Sequence, residues 1–358
     1  MIKKSVYSIM VLVLTWTVFA LPQSVNAGQD DFDDAQPVLV ATATPAAPTP
    51  KPGTGDTVIN PLTGLPAEDP SLLNYSPVMV SISNFPISVR PQGGLSFAPH
   101  VFEMTIGEGM TRFLAVFYGN YGDGTPDQTN VNLASIRSGR VPYEGLRTMY
   151  DGMIVMAGAD PKVAKQLNAT VFRQKVDFAD IQNLAEERSE KRGAPQFTDL
   201  NFDPAMPAGG VNGENLEIIW SYLNRVRWTY DATQGAYLRE QDKSDGKGTY
   251  YPATDKLTGE QLAFNNVVLL YAPHTYESPT IIDMEMLYVK KMPAIFFRDG
   301  KAYKVFWTSI PLGPFRFFYE DGTPFPYKPG NTFYEVISNI NQAQQDADGS
   351  WTVKFFNP

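Results

Sequence analysis

The sequence contains no cysteine, and this absence excludes several kinds of chemistry at once. Disulfide bonds, thiol catalysis and cysteine-based zinc sites all need that side chain. Acylation of the lipoprotein type also needs an N-terminal cysteine, so the sequence predicts a protein that is not a lipoprotein. Histidine is rare as well, with His100 and His274 as its two examples, and their spacing matches no metal-binding motif. We therefore expect neither a metal ion nor a cofactor.

Positive charge is also in short supply, because 29 lysine and arginine residues face 38 aspartate and glutamate residues. The net charge at pH 7 is −9. Nucleic-acid binding needs a basic face that contacts phosphates, and anionic lipid headgroups attract basic segments. The composition therefore argues against nucleic acid and against a lipid surface as partners.

The N-terminus has the pattern of a targeting segment. Lys3 and Lys4 precede an apolar run from Val6 to Leu21, and the small residue Ala27 follows shortly afterwards. This order predicts a secretory signal peptide over residues 1–27, cleaved after Ala27. The run is short for a membrane span, which needs about 20 apolar residues. An uncleaved anchor is the alternative, and it would be the one contact with a membrane. The expected location is extracytoplasmic, either secreted or associated with the cell envelope.

Residues 28–56 differ in composition from everything that follows. They begin with aspartates such as Asp30 and Asp31 and become rich in alanine, threonine and proline. Such a segment cannot bury enough apolar surface to offset the entropy lost on ordering. We predict a disordered linker that separates the folded part from the membrane or wall.

The remaining chain alternates short apolar strands with turns, and 43% of all residues are hydrophobic, enough for a substantial core. Strands and helices alternate through residues 57–212, which predicts an N-terminal α/β domain. Strands and turns dominate residues 213–358, which predicts a β-rich C-terminal domain. The expected fold class is α+β: mixed layered sheets in a sandwich-like arrangement, with helices packed on one side and a smaller β-rich C-terminal part.

Residues 101–106 and 111–118 read as a hairpin around Gly107-Glu108-Gly109. A two- or four-residue loop places Glu103 and Arg112 on one face as diagonal cross-strand neighbours, whereas a three-residue loop separates them. We favour the first register because it gathers the apolar side chains on the opposite face.

Four arginines form the most distinctive pattern: Arg90, Arg112, Arg137 and Arg140. A guanidinium group is a planar fork suited to carboxylate and phosphate, so several of them in one cleft would make an anion site. The alternative is internal pairing that fixes strand geometry. In that case Glu103 would pair with Arg112, and Glu108 or Glu144 with Arg137 or Arg140.

The same region offers candidates for catalysis. Glu103 and Glu108 could act as a general acid and base, as in glycoside hydrolysis. Ser138 lacks the Gly-x-Ser-x-Gly surroundings of an activated nucleophile, and we expect its hydroxyl to bond the following helix turn. His100 and His274 are expected to be structural.

Several short segments together form a recognisable pattern. They are Asn60-Pro-Leu-Thr-Gly, Arg90-Pro-Gln-x-Gly-Leu, Glu103, Glu108-Gly-x-Thr-Arg112-Phe and Arg137-Ser-x-Arg140. This combination resembles the YerB-like (DUF3048) proteins of bacteria, and the similarity runs from about Pro61 to Pro358.

The resemblance implies an extracytoplasmic protein with a mixed sheet-and-helix fold, from a family without a known function. Many relatives look like lipoproteins. This sequence departs from the family pattern at His100, at Ala134-Ser135 and at Gly139. The residues we expect to bind a ligand are Arg90, Gln92, Glu103, Glu108, Arg112, Arg137, Ser138 and Arg140.

The function predicted from the sequence is a binding module of the cell envelope that holds an anionic cell-wall or glycan ligand in an arginine-lined cleft. The alternative is an envelope glycan hydrolase or transferase that uses Glu103 or Glu108. A third hypothesis is a purely structural partner protein. No catalytic residue is assigned.

Overall fold

One large sheet draws strands from both halves of the chain. The structure, a computed structural model, describes residues 57–122, 132–197 and 200–355. The first strands and helices are β1 (Val78–Ser83), β2 (His100–Gly107), β3 (Met110–Phe117), α1 (Pro142–Tyr150), β4 (Met153–Met156), α2 (Pro161–Ala164), β5 (Thr170–Phe172) and α3 (Phe178–Arg192). Short 3-10 helices lie at Pro70–Asn74, Ile87–Val89 and Leu95–Phe97.

The second half of the described chain consists of strands. They are β6 (Val211–Asn212), β7 (Asn215–Ser221), β8 (Asn224–Asp231), β9 (Ala236–Asp242), β10 (Tyr250–Pro252), β11 (Ala263–Phe264), β12 (Asn266–Ala272), β13 (His274–Ser278), β14 (Ile281–Met284), β15 (Met292–Arg298), β16 (Lys301–Ile310), β17 (Gly313–Phe318), β18 (Pro324–Phe325), β19 (Thr332–Ser338), β20 (Gln344–Gln345) and β21 (Trp351–Lys354).

Within the described residues, twelve strands form the large sheet in the order β18-β17-β16-β15-β12-β19-β2-β3-β1-β4-β5, with β6 beside β16. The sheet is mixed, because β2 lies parallel to β19 and antiparallel to β3. Its central strands β1, β2, β12 and β19 are buried along their whole length. Such strands lie between two layers, which explains their nearly continuous apolar sequences.

A second sheet of seven strands covers one face of the large sheet, in the order β10-β9-β8-β7-β21-β20 with β11 beside β9, in the same described part of the chain. Side chains of β7 and β8 alternate between buried and partly exposed. This period of two is typical of a sheet with one face on a core and one face toward water. The inner face includes Trp228 and packs against Phe113 and Phe333 of the large sheet.

The helices pack in two different cores. Phe178 and Ile181 of α3 join the core between the two sheets, whereas Tyr143 and Leu146 of α1 join the core on the opposite face of the large sheet. Helix α3 begins with a capping box, in which Asp177 caps the first turn. We call the first core the intersheet core and the second the helix-side core.

The predicted α+β class with layered sheets is confirmed. The structure does not confirm that the helices share one side, because α1 and α3 belong to different cores. The domain boundary between residues 212 and 213 stays a prediction, and strands from both sides of it build the large sheet. The predicted signal peptide and linker, residues 1–56, lie outside the described residues.

The predicted register of the hairpin between β2 and β3 is wrong. Glu103 lies opposite Phe113, and Arg112 lies opposite Met104. The reason is a register shift between Thr105 and Gly107, which places an extra residue in β2 just before the turn. Because side chains alternate along a strand, a shift of one residue moves Arg112 to the face opposite Glu103.

Candidate functional site

A cavity of about 480 Å³ opens at one end of the intersheet core. Its volume falls in the range of small-molecule sites. The wall combines apolar side chains with three cationic residues, and none of the described residues that line it is acidic. The lining residues are Ile87, Arg90, Pro91, Gln92, Phe113, Arg239, Gln241, Lys243, Tyr251, Pro252, Ala253 and Thr254. We call this space the Arg90 cavity.

Arg90 is held in place by neutral acceptors. Its Nε donates to the carbonyl oxygen of Asn84 (3.1 Å) and to Oδ1 of the same residue (3.0 Å). Its Nη1 donates to the carbonyl oxygen of Asp242 (3.0 Å). Its Nη2 is buried and has no partner among the described residues. Burial lowers the pKa of Arg90, but an arginine stays protonated at neutral pH. The cavity wall therefore contains a fixed cation, one of whose buried donors is unused by the described residues.

Gln92 lies beside Arg90 and is held by the same part of the chain. Its Nε2 donates to the carbonyl oxygen of Ser83 (3.1 Å) and to Oδ1 of Asn84 (3.2 Å). The structure thus places two of the predicted ligand-binding residues, Arg90 and Gln92, in the wall of one cavity.

Behind the cavity, two glutamates share one arginine. Glu103 of β2 and Glu335 of β19 are adjacent partners on parallel strands, and both are completely buried. Arg239 enters from β9 in the second sheet and donates from Nη2 to Glu103 Oε2 (2.6 Å) and from Nη1 to Glu335 Oε1 (3.1 Å). We call these three residues the Arg239 cluster.

Aromatic rings and a polar network complete the surroundings of this cluster. The Arg239 guanidinium carbon lies 4.8 Å from the ring centroid of Phe333 and 5.2 Å from that of Trp228. Glu103 Oε1 accepts from Thr111 Oγ1 (2.5 Å) and from Asn84 Nδ2 (3.2 Å). Glu103 is therefore a buried member of a hydrogen-bonded network and does not line the cavity.

Glu335 is less well satisfied than Glu103. Its Oε1 also accepts from Trp228 Nε1 (2.8 Å), while its Oε2 has no partner among the described residues. Burial and the nearby Glu103 raise the pKa of Glu335 to about 8, against the opposing effect of Arg239. A proton on Glu335 at neutral pH leaves the Arg239 cluster close to neutral.

The other predicted arginines lie on the opposite face of the large sheet. Arg112 is 7% exposed and donates from Nη1 to the carbonyl oxygen of Ser138 (2.8 Å). Arg137 is exposed and donates from Nε to Ser83 Oγ (3.3 Å). Arg140 follows close by, and its Nη1 donates to the carbonyl oxygen of Gly139 (3.4 Å). The single arginine cleft predicted from the sequence is thus two separate places.

The predicted ion pairs have different partners in the structure. Glu103 pairs with Arg239 and Glu144 pairs with Arg147, because the bulge in β2 and the path of α1 bring those side chains together. Glu108 occupies the exposed turn between β2 and β3 with a positive φ of 54°. It does not line the Arg90 cavity.

The backbone of Ser138 and the side chain of His100 make structural hydrogen bonds. The carbonyl oxygen of Ser138 accepts from Arg112, and Val141 occupies the cap position of α1 without a side-chain hydrogen bond. The predicted bond from the Ser138 hydroxyl to the following helix turn stays a prediction. His100 is buried between Tyr150 (2.5 Å) and the carbonyl oxygen of Leu62 (3.1 Å). Burial lowers its pKa to about 3.

Sequence reasoning missed Arg239 and Glu335. Arg239 follows Tyr237 and precedes Gln241 at a spacing of two, and all three lie on the buried face of β9. The available signal was an arginine at the same two-residue spacing as the inward-facing residues of the strand. Its partner Glu103 is 136 residues away, so local patterns could not identify the pair.

Most of the chain matches one known protein family. Residues 62–209 match the family described as "Protein of unknown function (DUF3048) N-terminal domain", and residues 216–334 match the corresponding C-terminal domain. The chain belongs to the DUF3048 family. This DUF3048 protein is 26% identical over 323 residues to "Putative lipoprotein YerB" of Bacillus subtilis (strain 168), a match that spans 82% of this chain and 90% of the relative.

A solved structure shows the same fold. The crystal structure of the YerB protein from Bacillus subtilis superposes on this DUF3048 protein with a TM-score of 0.64 at 22% identity. The match covers 78% of this chain and 96% of that one.

One prediction from the sequence requires correction. The absence of cysteine led us to predict that this DUF3048 protein is not a lipoprotein, and the similarity to a relative named a lipoprotein contradicts that prediction. The extracytoplasmic location is compatible with the same similarity. In the part of the chain that the structure describes, no helix is long and apolar enough to cross a membrane, and no group of three acidic or histidine side chains is placed to hold a metal ion.

Proposed function

We propose that this DUF3048 protein is an extracytoplasmic binding protein of the cell envelope that holds a carboxylate-bearing sugar in the Arg90 cavity. The similarity to a relative named a lipoprotein supports an envelope-type protein. The observation that carries the ligand class is Arg90, a cation of the cavity wall whose buried Nη2 has no partner among the described residues.

The charge around the cavity favours an anionic ligand. Arg90 and the exposed Lys243 are not balanced by any acidic residue of the described lining. The third cation, Arg239, already binds Glu103 and Glu335. A carboxylate can accept from the planar fork of the Arg90 guanidinium.

The remaining wall fits the body of a sugar. Ile87, Pro91, Phe113 and Pro252 provide apolar surface, and Gln92, Gln241 and Tyr251 provide polar groups. Small-molecule sites typically combine a mostly apolar wall with a few placed polar groups. The glycan hydrolase alternative gains no support from this arrangement, because Glu103 and Glu108 do not line the described cavity.

Titration calorimetry of the full-length chain with N-acetylmuramic acid tests this proposal, with N-acetylglucosamine as the matched sugar that lacks the carboxylate. We expect saturable binding of the first sugar and at least tenfold weaker binding of the second, because a hydrogen bond between charged groups is lost. Arg90→Gln should weaken binding of N-acetylmuramic acid by about tenfold or more.

The control variant is Arg137→Gln, which changes an exposed arginine on the opposite face of the large sheet. It should bind N-acetylmuramic acid as the wild type does. Equal affinity for both sugars, or an Arg90→Gln variant with wild-type affinity, would contradict the proposal.

A further inference from the structure

Arg112, Arg137 and Arg140 form a second cluster of cations, which we call the Arg112 cluster. Arg112 shares the face of β3 that carries Leu114, and that face belongs to the helix-side core. The Arg90 cavity lies on the other face, where Phe113 points. The two places are therefore separated by the thickness of the large sheet.

Within the described residues, no carboxylate forms an ion pair with an arginine of the Arg112 cluster. The ion pairs of the described residues use other arginines, such as Arg147 with Glu144 and Arg239 with Glu103. Among the residues with known placement, the Nε atoms of Arg112 and Arg140 are both buried without a hydrogen-bond partner. Burying a cation is costly unless it is paired, so these two donors call for an anion.

The three arginines are also close enough to influence one another. The pKa of Arg112 is lowered to about 10, mainly by burial and also by the charges of Arg140 and Arg137, while Tyr143 acts in the opposite direction. Asp160 is the acidic residue that acts on Arg140, but it caps α2 by accepting from the backbone of Lys162 (2.9 Å). All three arginines keep their charge at neutral pH.

The segment that carries the cluster is held rigidly. Arg137 N donates to the carbonyl oxygen of Ser81 (2.9 Å), and Gly139 N donates to that of Gly158 (2.8 Å). A Cβ at Gly139 would lie 2.4 Å from Met156 Sδ and 2.7 Å from Leu167 Cδ1, so these two side chains would have to shift. This explains the glycine within the Arg137-Ser-x-Arg140 motif. A rigid segment orders its arginines before any ligand arrives, which reduces the entropic cost of binding.

We propose that the Arg112 cluster is a binding site for a phosphate group. Three guanidinium groups, with no ion-paired carboxylate among the described residues, offer a charge of about +3, and a phosphate group carries a charge of about −1.5 to −2 with at least three acceptor oxygens. A carboxylate has two oxygens and one charge, so it uses fewer of the donors. This site differs from the Arg90 cavity in lying on the other face of the large sheet and in combining three arginines.

The test is calorimetric titration of the full-length chain with inorganic phosphate, with acetate as the comparison anion. We expect saturable binding of phosphate and at least tenfold weaker binding of acetate. Arg137→Gln should weaken phosphate binding by about tenfold, and Arg112→Met by at least as much, because each loses a charged hydrogen-bond donor. Arg137 is exposed, so its variant should fold normally.

Arg90→Gln is the matched control and should bind phosphate within about twofold of the wild type, because it changes a cation on the other face. The proposal is overturned if the wild type shows no saturable phosphate binding or if Arg137→Gln and Arg112→Met both retain wild-type affinity. It is also overturned if Arg90→Gln alone abolishes binding, since phosphate would then occupy the Arg90 cavity. The phosphate results can be interpreted even if N-acetylmuramic acid does not bind. Phosphate binding is tested by variants of Arg112 and Arg137, whereas sugar binding is tested by a variant of Arg90.

Discussion

Arg239 and Arg112 are both buried, yet their surroundings have little in common. Arg239 binds two glutamates and lies against aromatic rings in the intersheet core. Arg112 binds one backbone carbonyl and faces two further arginines in the helix-side half of the molecule. The comparison teaches that burial of an arginine does not by itself identify a site. The presence or absence of a compensating carboxylate separates an architectural cation from one that can receive an anion.

The Arg90 cavity lies between these extremes. Arg90 is anchored by backbone and amide oxygens, so its position is fixed while its charge stays unbalanced. Glu103 links it indirectly to the Arg239 cluster, because Asn84 accepts from Arg90 and donates to Glu103 (3.2 Å). The architectural cluster therefore supports the wall that carries the free cation.

The largest effect should come from removing one arginine in each region with the same substitution. Arg239→Met leaves Glu103 and Glu335 buried without their cation, and we expect a loss of about 3–5 kcal/mol in the free energy of unfolding. Arg112→Met leaves no buried carboxylate unpaired and loses one hydrogen bond to Ser138, so we expect a change within about 1 kcal/mol. Denaturant unfolding of both variants measures the difference. Equal losses in the free energy of unfolding would contradict the distinction between Arg239 and Arg112.

An intermediate effect should appear in the pH dependence of stability. The pKa of Glu335 is raised from 4.5 to about 8 in the folded protein, so the folded state binds more protons than the unfolded chain between those values. The free energy of unfolding should therefore fall as pH rises through this window, by up to about 1.4 kcal/mol per pH unit. Glu335→Gln should flatten that slope in denaturant unfolding measured from pH 5 to pH 8.

Glu240→Gln provides the control for this measurement. Glu240 belongs to the same strand as Arg239 but is only partly buried, and it lies near Arg227 at 3.7 Å. It should keep the wild-type slope. Parallel curves for wild type and Glu335→Gln would show that Glu335 does not titrate in this range, and the Arg239 cluster would then carry a net negative charge.

The smallest effect should come from relieving repulsion within the Arg112 cluster. Arg137→Gln removes one of three neighbouring positive charges at the cost of a long, partly buried hydrogen bond to Ser83. In phosphate-free buffer of low ionic strength, we expect thermal stability to rise slightly, by about 0.3 kcal/mol. The gain should vanish in roughly 0.5 M sodium chloride because salt screens exposed charges. A loss of stability at low salt would mean that Arg137 is paired in solution.

Local patterns in the sequence predict much of the fold and some of the residues that lie together in the candidate sites. The apolar, β-branched pattern of Val78–Ser83 predicts a buried strand, which the structure contains as β1. The grouping of Arg90 with Gln92, and of Arg137 with Arg140, also holds, because short spacing in a rigid segment keeps side chains together.

The rest depends on information that a single sequence does not display. The bulge in β2 shifts the strand register by one residue, and no residue type near Thr105 indicates a bulge at this position. That single shift decides whether Arg112 meets Glu103 or lies across the sheet from it. The pairing of Glu335 with Arg239 depends on a contact between two sheets, and such contacts follow from topology rather than from local propensity.

The end of β1 connects hydrogen bonds on the two faces of the large sheet. Ser83 accepts from Arg137 on one face, and the next residue, Asn84, accepts from Arg90 on the other. One peptide unit thus joins the two proposed anion sites. A ligand on one face that displaced this unit would change the free energy of binding on the other, and thermodynamic reciprocity would make the two changes in affinity equal. A single coupling free energy, measured in either direction, would describe allostery across the sheet.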